Sequence, residues 1–315
     1  MRPLLCRFSL ALFSLLLMGC QVTSLSQSSV STLSLNTLYD YQLMDAEQQP
    51  LTPVQAAVQL ADFDVVMVGE LHGHQGIHRF QADLFAALLQ QPRPWALAME
   101  QFSRDHQAEI NRYLAGELGE DVFVKQANAW PSYKSDYRAL LMLAKEAHAS
   151  VIAANAPRHI VRCIAKFGPE YLQRLPAHER RWVAKQLTLA FDAYKALFMA
   201  NRHHGQAPSE AQFAAQTSWD DTMAESINDY LTLHPNHSVM LTLGRFHIKE
   251  GLGTVQRLQA RNPKLKIALI YPVTADEAEI EPQAQSWMLK VAALPPARLT
   301  GEPLPAFNLG EPECE

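Results

Sequence analysis

The strongest constraint on the fold comes from short apolar runs spaced widely along the chain. Val65–Val68, Trp95–Met99, Val151–Ala154, Val239–Leu243 and Ile267–Tyr271 are rich in Val, Leu, Ile and Ala and carry no regular polar alternation. Runs of that length and type read as strands buried on both faces. Longer stretches of helical period separate them. Between the first two runs, Ile77, Phe80, Leu84 and Leu88 recur at spacings of three and four, which places them on one face of a helix. The alternation predicts an α/β fold with a mostly parallel central sheet flanked by helices. Residues 157–233 show only helical periodicity, interrupted near Gly168-Pro169, Leu175-Pro176 and Gly205 to Pro208. A helical insertion subdomain is expected there, because the segment is too long for a plain crossover. The α/β domain is bounded at 39–280. Pro282, Pro295, Pro296, Pro303 and Pro305 mark 281–315 as an irregular tail.

The first residues have the layout of a secretory signal: Arg2 and Arg7, then an apolar run from Phe8 to Met18, too short to span a bilayer. Leu17-Met18-Gly19-Cys20 resembles a bacterial lipobox, which implies cleavage after residue 19 and acylation of Cys20 as the link to a lipid membrane. Residues 20–38, rich in Ser, Thr and Gln, read as a tether. Gln21 in place of Asp favours, by the same resemblance, the outer membrane, with the domain facing the periplasm. The 27 basic and 32 acidic residues give a net charge of −5, and loss of Arg2 and Arg7 with the leader makes it −7. No basic footprint for nucleic acid is present. Cys163 and Cys314 are left either free or paired in an oxidising periplasm.

Two runs end alike. Val65 to Val68 continues as Gly69-Glu70-Leu71-His72, and Val239 to Leu243 continues as Gly244-Arg245-Phe246-His247. The loops after the carboxyl ends of parallel strands form the ligand crevice, and Gly permits a tight exit into it. The second run adds Glu100 at the same end. Glu70, His72, Glu100 and His247, with Arg245 nearby, therefore form a candidate cluster. Two carboxylates with two imidazoles suit a divalent metal or general acid–base work; the plainer alternative is an ion pair between Glu70 and Arg245 with the histidines bonded to loop backbone. His74 and His78, four apart at a helix start, could also grip a metal, or be a turn residue and an exposed one.

In the insertion, Tyr194 and Met199 are followed by His203-His204. Potential iron ligands thus fall beside apolar and aromatic residues, as an iron porphyrin requires. Packing in a core explains such residues equally well, as it does the stripe Gln216, Trp219, Asp220, Met223 and Ile227.

The sequence resembles the ChaN-like haem-binding lipoproteins, a branch of the Tiki/TraB and erythromycin-esterase-like superfamily. The likeness rests on the lipobox, Gly69-Glu70-Leu71-His72-Gly73, Ala98-Met99-Glu100, Ala154-Asn155-Ala156-Pro157-Arg158, Gln216 to Ala224, and Gly244-Arg245-Phe246-His247. It implies an outer-membrane-anchored α/β protein that binds ferric haem b for iron acquisition, as a homodimer with haem at the subunit contact held by tyrosine, and in contact with an outer-membrane haem receptor. Tyr194 is the first choice of ligand, His203 or His204 the next, with Met199 beside them. The superfamily also implies an alternative, a hydrolase in which Glu70, His72, Glu100 and His247 activate water with or without a divalent metal. No Ser or Cys sits in a recognisable nucleophile elbow. A third reading makes the cluster a stabilising network in a protein that docks to a receptor.

Overall fold

The computed structural model describes residues 35–201, 207–277, 286–296, 298–299, 302 and 313–314. Eight strands form one sheet: β1 (Tyr41–Met44), β2 (Pro50–Leu51), β3 (Val65–Glu70), β4 (Trp95–Ser103), β5 (Val151–Asn155), β6 (Ser238–Gly244), β7 (Ile267–Thr274) and β8 (Ser286–Val291). Their order is β2-β1-β8-β7-β3-β6-β4-β5. From β8 to β5 all neighbours are parallel, and β1 closes the far end antiparallel to both β8 and β2. The fold is thus α/β with a mostly parallel sheet, as the alternation of runs predicts.

Each predicted strand is present and runs further at its carboxyl end, carrying Glu70, Glu100 and Gly244 within the sheet. The residues 281–315, expected to be irregular, instead contribute β8. There Trp287, Leu289 and Val291 are buried and alternate with half-buried Ser286, Met288 and Lys290, a period of two that the surrounding prolines mask. The antiparallel β1 and β2 also carried no strand signal strong enough to be read.

The helices in chain order are α1 (Pro53–Leu60), α2 (Gln75–Leu88), α3 (Gln107–Leu114), α4 (Glu120–Gln126), α5 (Tyr133–Asp136), α6 (Arg138–Glu146), α7 (Arg158–Phe167), α8 (Ala177–Arg180), α9 (Ala193–Ala200), α10 (Glu210–Leu233) and α11 (Thr254–Arg261). On one face of the sheet, Val66, Val68, Leu97, Met99, Ala268, Ile270, Trp287 and Leu289 pack beneath α1, α2 and α6 along the whole width from β1 to β5. On the other face, Val65, Met67, Ala96, Ala98, Leu241 and Leu243 pack beneath Met223, Ala224 and Ile227 of α10 and Leu258 of α11. This second core includes no residue of β8 or β1, so among the described residues the sheet is covered on both faces only from β7 to β5.

α10 starts from a capping box in which the Ser209 hydroxyl accepts from the Gln212 amide. It is buried on more than one side, because α7 and the chain after it pack on its outer face. That double burial is why its polar residues, Thr217, Asp220, Asp221 and Thr222, are all inaccessible. Cys163 of α7 is disulfide-bonded to Cys314, 151 residues later.

Candidate functional site

The order of the sheet builds the site. β3 and β4 are consecutive in the first half of the domain, and β6 lies between them. The carboxyl ends of all three meet where the strand order reverses, the usual place for a ligand crevice in such a sheet. Gly69 is required for this convergence: a Cβ there would lie 2.9 Å from both Ile248 Cδ1 and Pro272 Cδ.

Glu70 is 2 % exposed, and both its oxygens are taken. Oε1 accepts from Tyr137 Oη at 2.8 Å, Gln101 Nε2 at 3.1 Å and His72 Nδ1 at 2.7 Å, while Oε2 accepts from Gln81 Nε2 at 2.8 Å. The donors are themselves fixed. Gln81 Oε1 lies 3.1 Å from His78 Nδ1, and Gln101 Oε1 accepts from the Thr242 hydroxyl. Burial pushes the Glu70 carboxyl up, but the His72 hydrogen bond and the imidazoles beside it outweigh that and hold it below the ordinary range. His72 shifts the other way: burial favours its neutral form, and Glu70 with Glu100 overcomes this and raises its pKa.

On the other side of Gly244, Glu100 Oε2 accepts from the Gly244 amide at 2.6 Å, and Oε1 lies 3.6 Å from His247 Nε2. His247 Nδ1 is 2.8 Å from Asp220 Oδ1, and Asp220 also accepts from Thr254 Oγ1 and from Tyr194 Oη, each at 2.8 Å. Burial alone would lower the His247 pKa; Asp220 and Glu100 on either side push it up to about 10, so the ring is a buried imidazolium at neutral pH. Asp220 is held low for the matching reason, with His247 outweighing desolvation. His72 closes the chain of contacts, since its Nε2 lies 3.1 Å from where a Gly244 Cβ would sit.

Glu70, His72, Glu100 and His247 are therefore brought together, joined by residues that the spacing did not single out as a site: Asp220, Tyr137, Gln81 and Gln101. Gln101 had a signal in following Glu100. Asp220 lay in a stripe read as helix packing. Of the four clustered residues His72 is the most open, with 49 % of its side chain exposed. No group of three or more His, Cys, Asp or Glu among the described residues is arranged to hold a metal ion.

Arg245 does not join the cluster and does not pair with Glu70. It turns to the opposite side of the chain, where its Nη1 and Nη2 donate to Glu277 at 2.8 and 2.6 Å. Tyr194, expected as a haem ligand, is 0 % exposed and donates to Asp220, with Gln216 Nε2 donating to its hydroxyl and Arg257 lying 4.6 Å over its ring. Burial, with the Asp220 carboxylate, raises its pKa well above the ordinary value, so this phenol is neither accessible nor ready to ionise. Met199 packs against the same aromatic core. His74 and His78 are both buried and do not form a pair: His74 Nε2 bonds the Ala292 carbonyl, and His78 Nε2 accepts from the Gly73 amide. Cys20, His203 and His204 lie outside the described residues.

Arg245 instead lines a cleft of about 340 Å3 at β7 and β8 on the second sheet face. Its apolar lining comes from Leu269, Tyr271 and Val273 of β7, Met288 of β8 and Ile248, and its charged lining from Lys249 and the carboxylates Asp45, Glu250 and Glu277. Tyr271 and Met288 are register partners, so their side chains are neighbours on that face.

Comparison with known proteins agrees with this architecture. A sequence model of the family described as haem-binding uptake, Tiki superfamily, ChaN matches residues 56–258. Among solved structures, one described as cofacial heme binding to ChaN of Campylobacter jejuni is similar at 16% identity and a TM-score of 0.59, covering 79% of this chain and 96% of that one. The type III effector HopBA1 (11% identity, TM-score 0.47, 82% and 99% covered) and a mutant of the erythromycin esterase EreC in its open conformation (10%, 0.43, 75% and 77%) are also similar. No curated protein matches the sequence significantly. The family match spans well over half of the sequence and contains every strand end that builds the cluster, and the chain belongs to the ChaN family of haem-binding uptake proteins in the Tiki superfamily.

Proposed function

We propose that this protein binds ferric haem b for iron acquisition, as a lipoprotein held at the outer membrane through Cys20 and facing the periplasm. The observation that carries the reading is the family match over residues 56–258. Haem needs an apolar slot and an axial His, Met, Cys or Tyr. The helical insertion does not meet that need through Tyr194, which is sealed against Asp220. The cleft supplies apolar surface beside Tyr271 and Met288, with Arg245 and Lys249 set among the carboxylates Asp45, Glu250 and Glu277.

Protein lacking residues 1–19 and carrying Cys20→Ala should develop a Soret band when titrated with ferric haem. Absence of any spectral change at micromolar haem would remove the proposal. The lipid is tested separately, by labelling cells with radioactive palmitate and comparing the wild type with Cys20→Ala. Cofacial haem binding in the Campylobacter protein supports a homodimer in which two copies bring their haems together; sedimentation with and without haem checks this. Delivery from an outer-membrane haem receptor belongs to the same reading.

A hydrolytic reading draws support from one feature, the half-open imidazole of His72 pinned through Nδ1 by buried Glu70. Glu70 and Glu100 raise the His72 pKa against the effect of its burial. Ester or peptide turnover that Glu70→Gln abolishes would revive it.

A further inference from the structure

We infer that the cleft at β7 and β8 binds a small organic cation, an amine on an apolar body, with Glu250 and Asp45 as its counter-charges; this goes beyond the haem reading above and does not depend on it. The charges lining the cleft are the carboxylates Asp45, Glu250 and Glu277 and the cations Arg245 and Lys249. Arg245 and Glu277 cancel, joined by hydrogen bonds of 2.8 and 2.6 Å. Glu277 is committed further, since its Oε2 also accepts from the Thr274 amide at 2.9 Å. That leaves Asp45 and Glu250 against Lys249, a surplus of one negative charge beside the apolar Leu269, Val273 and Met288. A monocation with an apolar body neutralises that surplus, whereas an anion adds to it.

The two carboxylates are available to a ligand. Asp45 Oδ1 accepts from the Gln49 amide at 2.7 Å, which fixes the side chain in the turn between β1 and β2. The Glu250 side chain makes no hydrogen bond or ion pair among the described residues. Its charge reaches the Tyr271 phenol: burial raises that pKa, Arg245 lowers it, and Glu277 with Glu250 raises it again.

The backbone gives an independent observation. Among the described residues four non-glycines have positive φ, and two of them, Gln48 at 59° and Glu250 at 57°, line this cleft. A side chain held in the left-handed region is strained, and such strain gathers at ligand sites. Gly251 follows Glu250 with a φ of 68°, so a turn with no other demand on it would take glycine at both positions.

The size of the cleft narrows the ligand. A volume of about 340 Å3 holds on the order of ten non-hydrogen atoms, at ~30 Å3 each as in liquid water. An arylalkylamine of that size places its ammonium at Glu250 and its ring against Tyr271 and Met288, which are neighbours in register.

The test is calorimetric titration of haem-free protein, because an amine also ligates haem iron, with three probes of nearly one shape: phenethylamine, phenethyl alcohol and phenylacetate. The amine should bind, and the alcohol and the acid should bind on the order of ten-fold more weakly or not at all. Glu250→Gln and Asp45→Asn should each weaken the amine by about two- to five-fold, and Lys249→Gln should tighten it by a similar factor. Glu117→Gln, which removes an exposed carboxylate between α3 and α4, should leave the affinity unchanged. Glu250→Gly separates the site from the fold: it should weaken the amine as Glu250→Gln does, while its circular dichroism melt stays close to that of the wild type, because glycine accepts the left-handed backbone. Equal binding of amine and alcohol, tighter binding of phenylacetate, or an affinity unmoved by Glu250→Gln and Asp45→Asn overturns the assignment. A wild type that binds none of the three overturns it as well.

Discussion

Two sites share the turn from Arg245 to Gly251 and differ in how far their polar atoms are committed. On the His247 side, charged and hydroxyl groups from β3, β4, α9 and α10 are buried and pair with one another, so that Tyr194, Asp220, His247 and Glu100 form one connected network. On the Arg245 side, apolar residues line a cleft, and the Tyr271 phenol there has only the Arg245 guanidinium over its ring. Buried polar groups that satisfy each other rigidify a fold, and removing one leaves the others stranded. Groups left uncommitted beside apolar surface are what a ligand can use. The motif residues most prominent in the sequence thus hold the structure, while the open cleft lies on the other side of the same turn.

Substitutions on the two sides should separate these roles. The largest expected effect is Asp220→Ala, which leaves the His247 imidazolium and the Tyr194 hydroxyl without their shared acceptor; urea unfolding should show a loss of about 3–5 kcal/mol. A loss within error of zero would show that the network contributes nothing to stability. Next is pH. His247 is raised from 6.5 to about 10 in the folded protein, so its contribution is complete below pH 6.5 and is lost as pH rises towards 10. Stability should fall across that window by up to about 1.4 kcal/mol per pH unit, and His247→Gln should flatten the slope. Glu70 and Asp220, both held low, contribute in the opposite window: their stabilisation is present at neutral pH and is lost as acid protonates them.

On the open side the effects on folding should be small. Met288→Ala, at a half-buried position, should cost about 1 kcal/mol in thermal melts while weakening amine binding. Smallest is Glu277→Gln, which breaks a partly exposed ion pair and should change stability by less than about 1 kcal/mol. If the cleft variants destabilise as much as Asp220→Ala, the division between the two sides is wrong.

The parallel strands were legible because burial on both faces leaves nearly uninterrupted apolar runs, and the clustering of Glu70, His72, Glu100 and His247 followed from two strands ending in the same pattern. What escaped was set by tertiary contact. Asp220 and Tyr194 look like ordinary helix residues, and only the packing of α9 and α10 over the strand ends puts them in contact with His247. Arg245 and His247 are two residues apart, yet the turn sends them to opposite sides, a divergence that spacing alone does not reveal. The cleft floor depends on β8, whose short alternating run sits among prolines, and on the absence of helices over β8 on that face among the described residues. An uncovered face leaves no mark in the strand that carries it.

The Cys163–Cys314 disulfide makes a covalent ring of the chain between them, and the ring contains α10, β6, β7 and β8. Arg245, Tyr271 and Met288 lie inside this ring, while Glu70 and Glu100 lie outside it. A single proteolytic nick anywhere within the ring therefore releases no fragment: the two pieces stay joined through sulfur until a reductant is added. In an oxidising compartment the half of the molecule that carries the cleft can be cut once and still travel as one molecule.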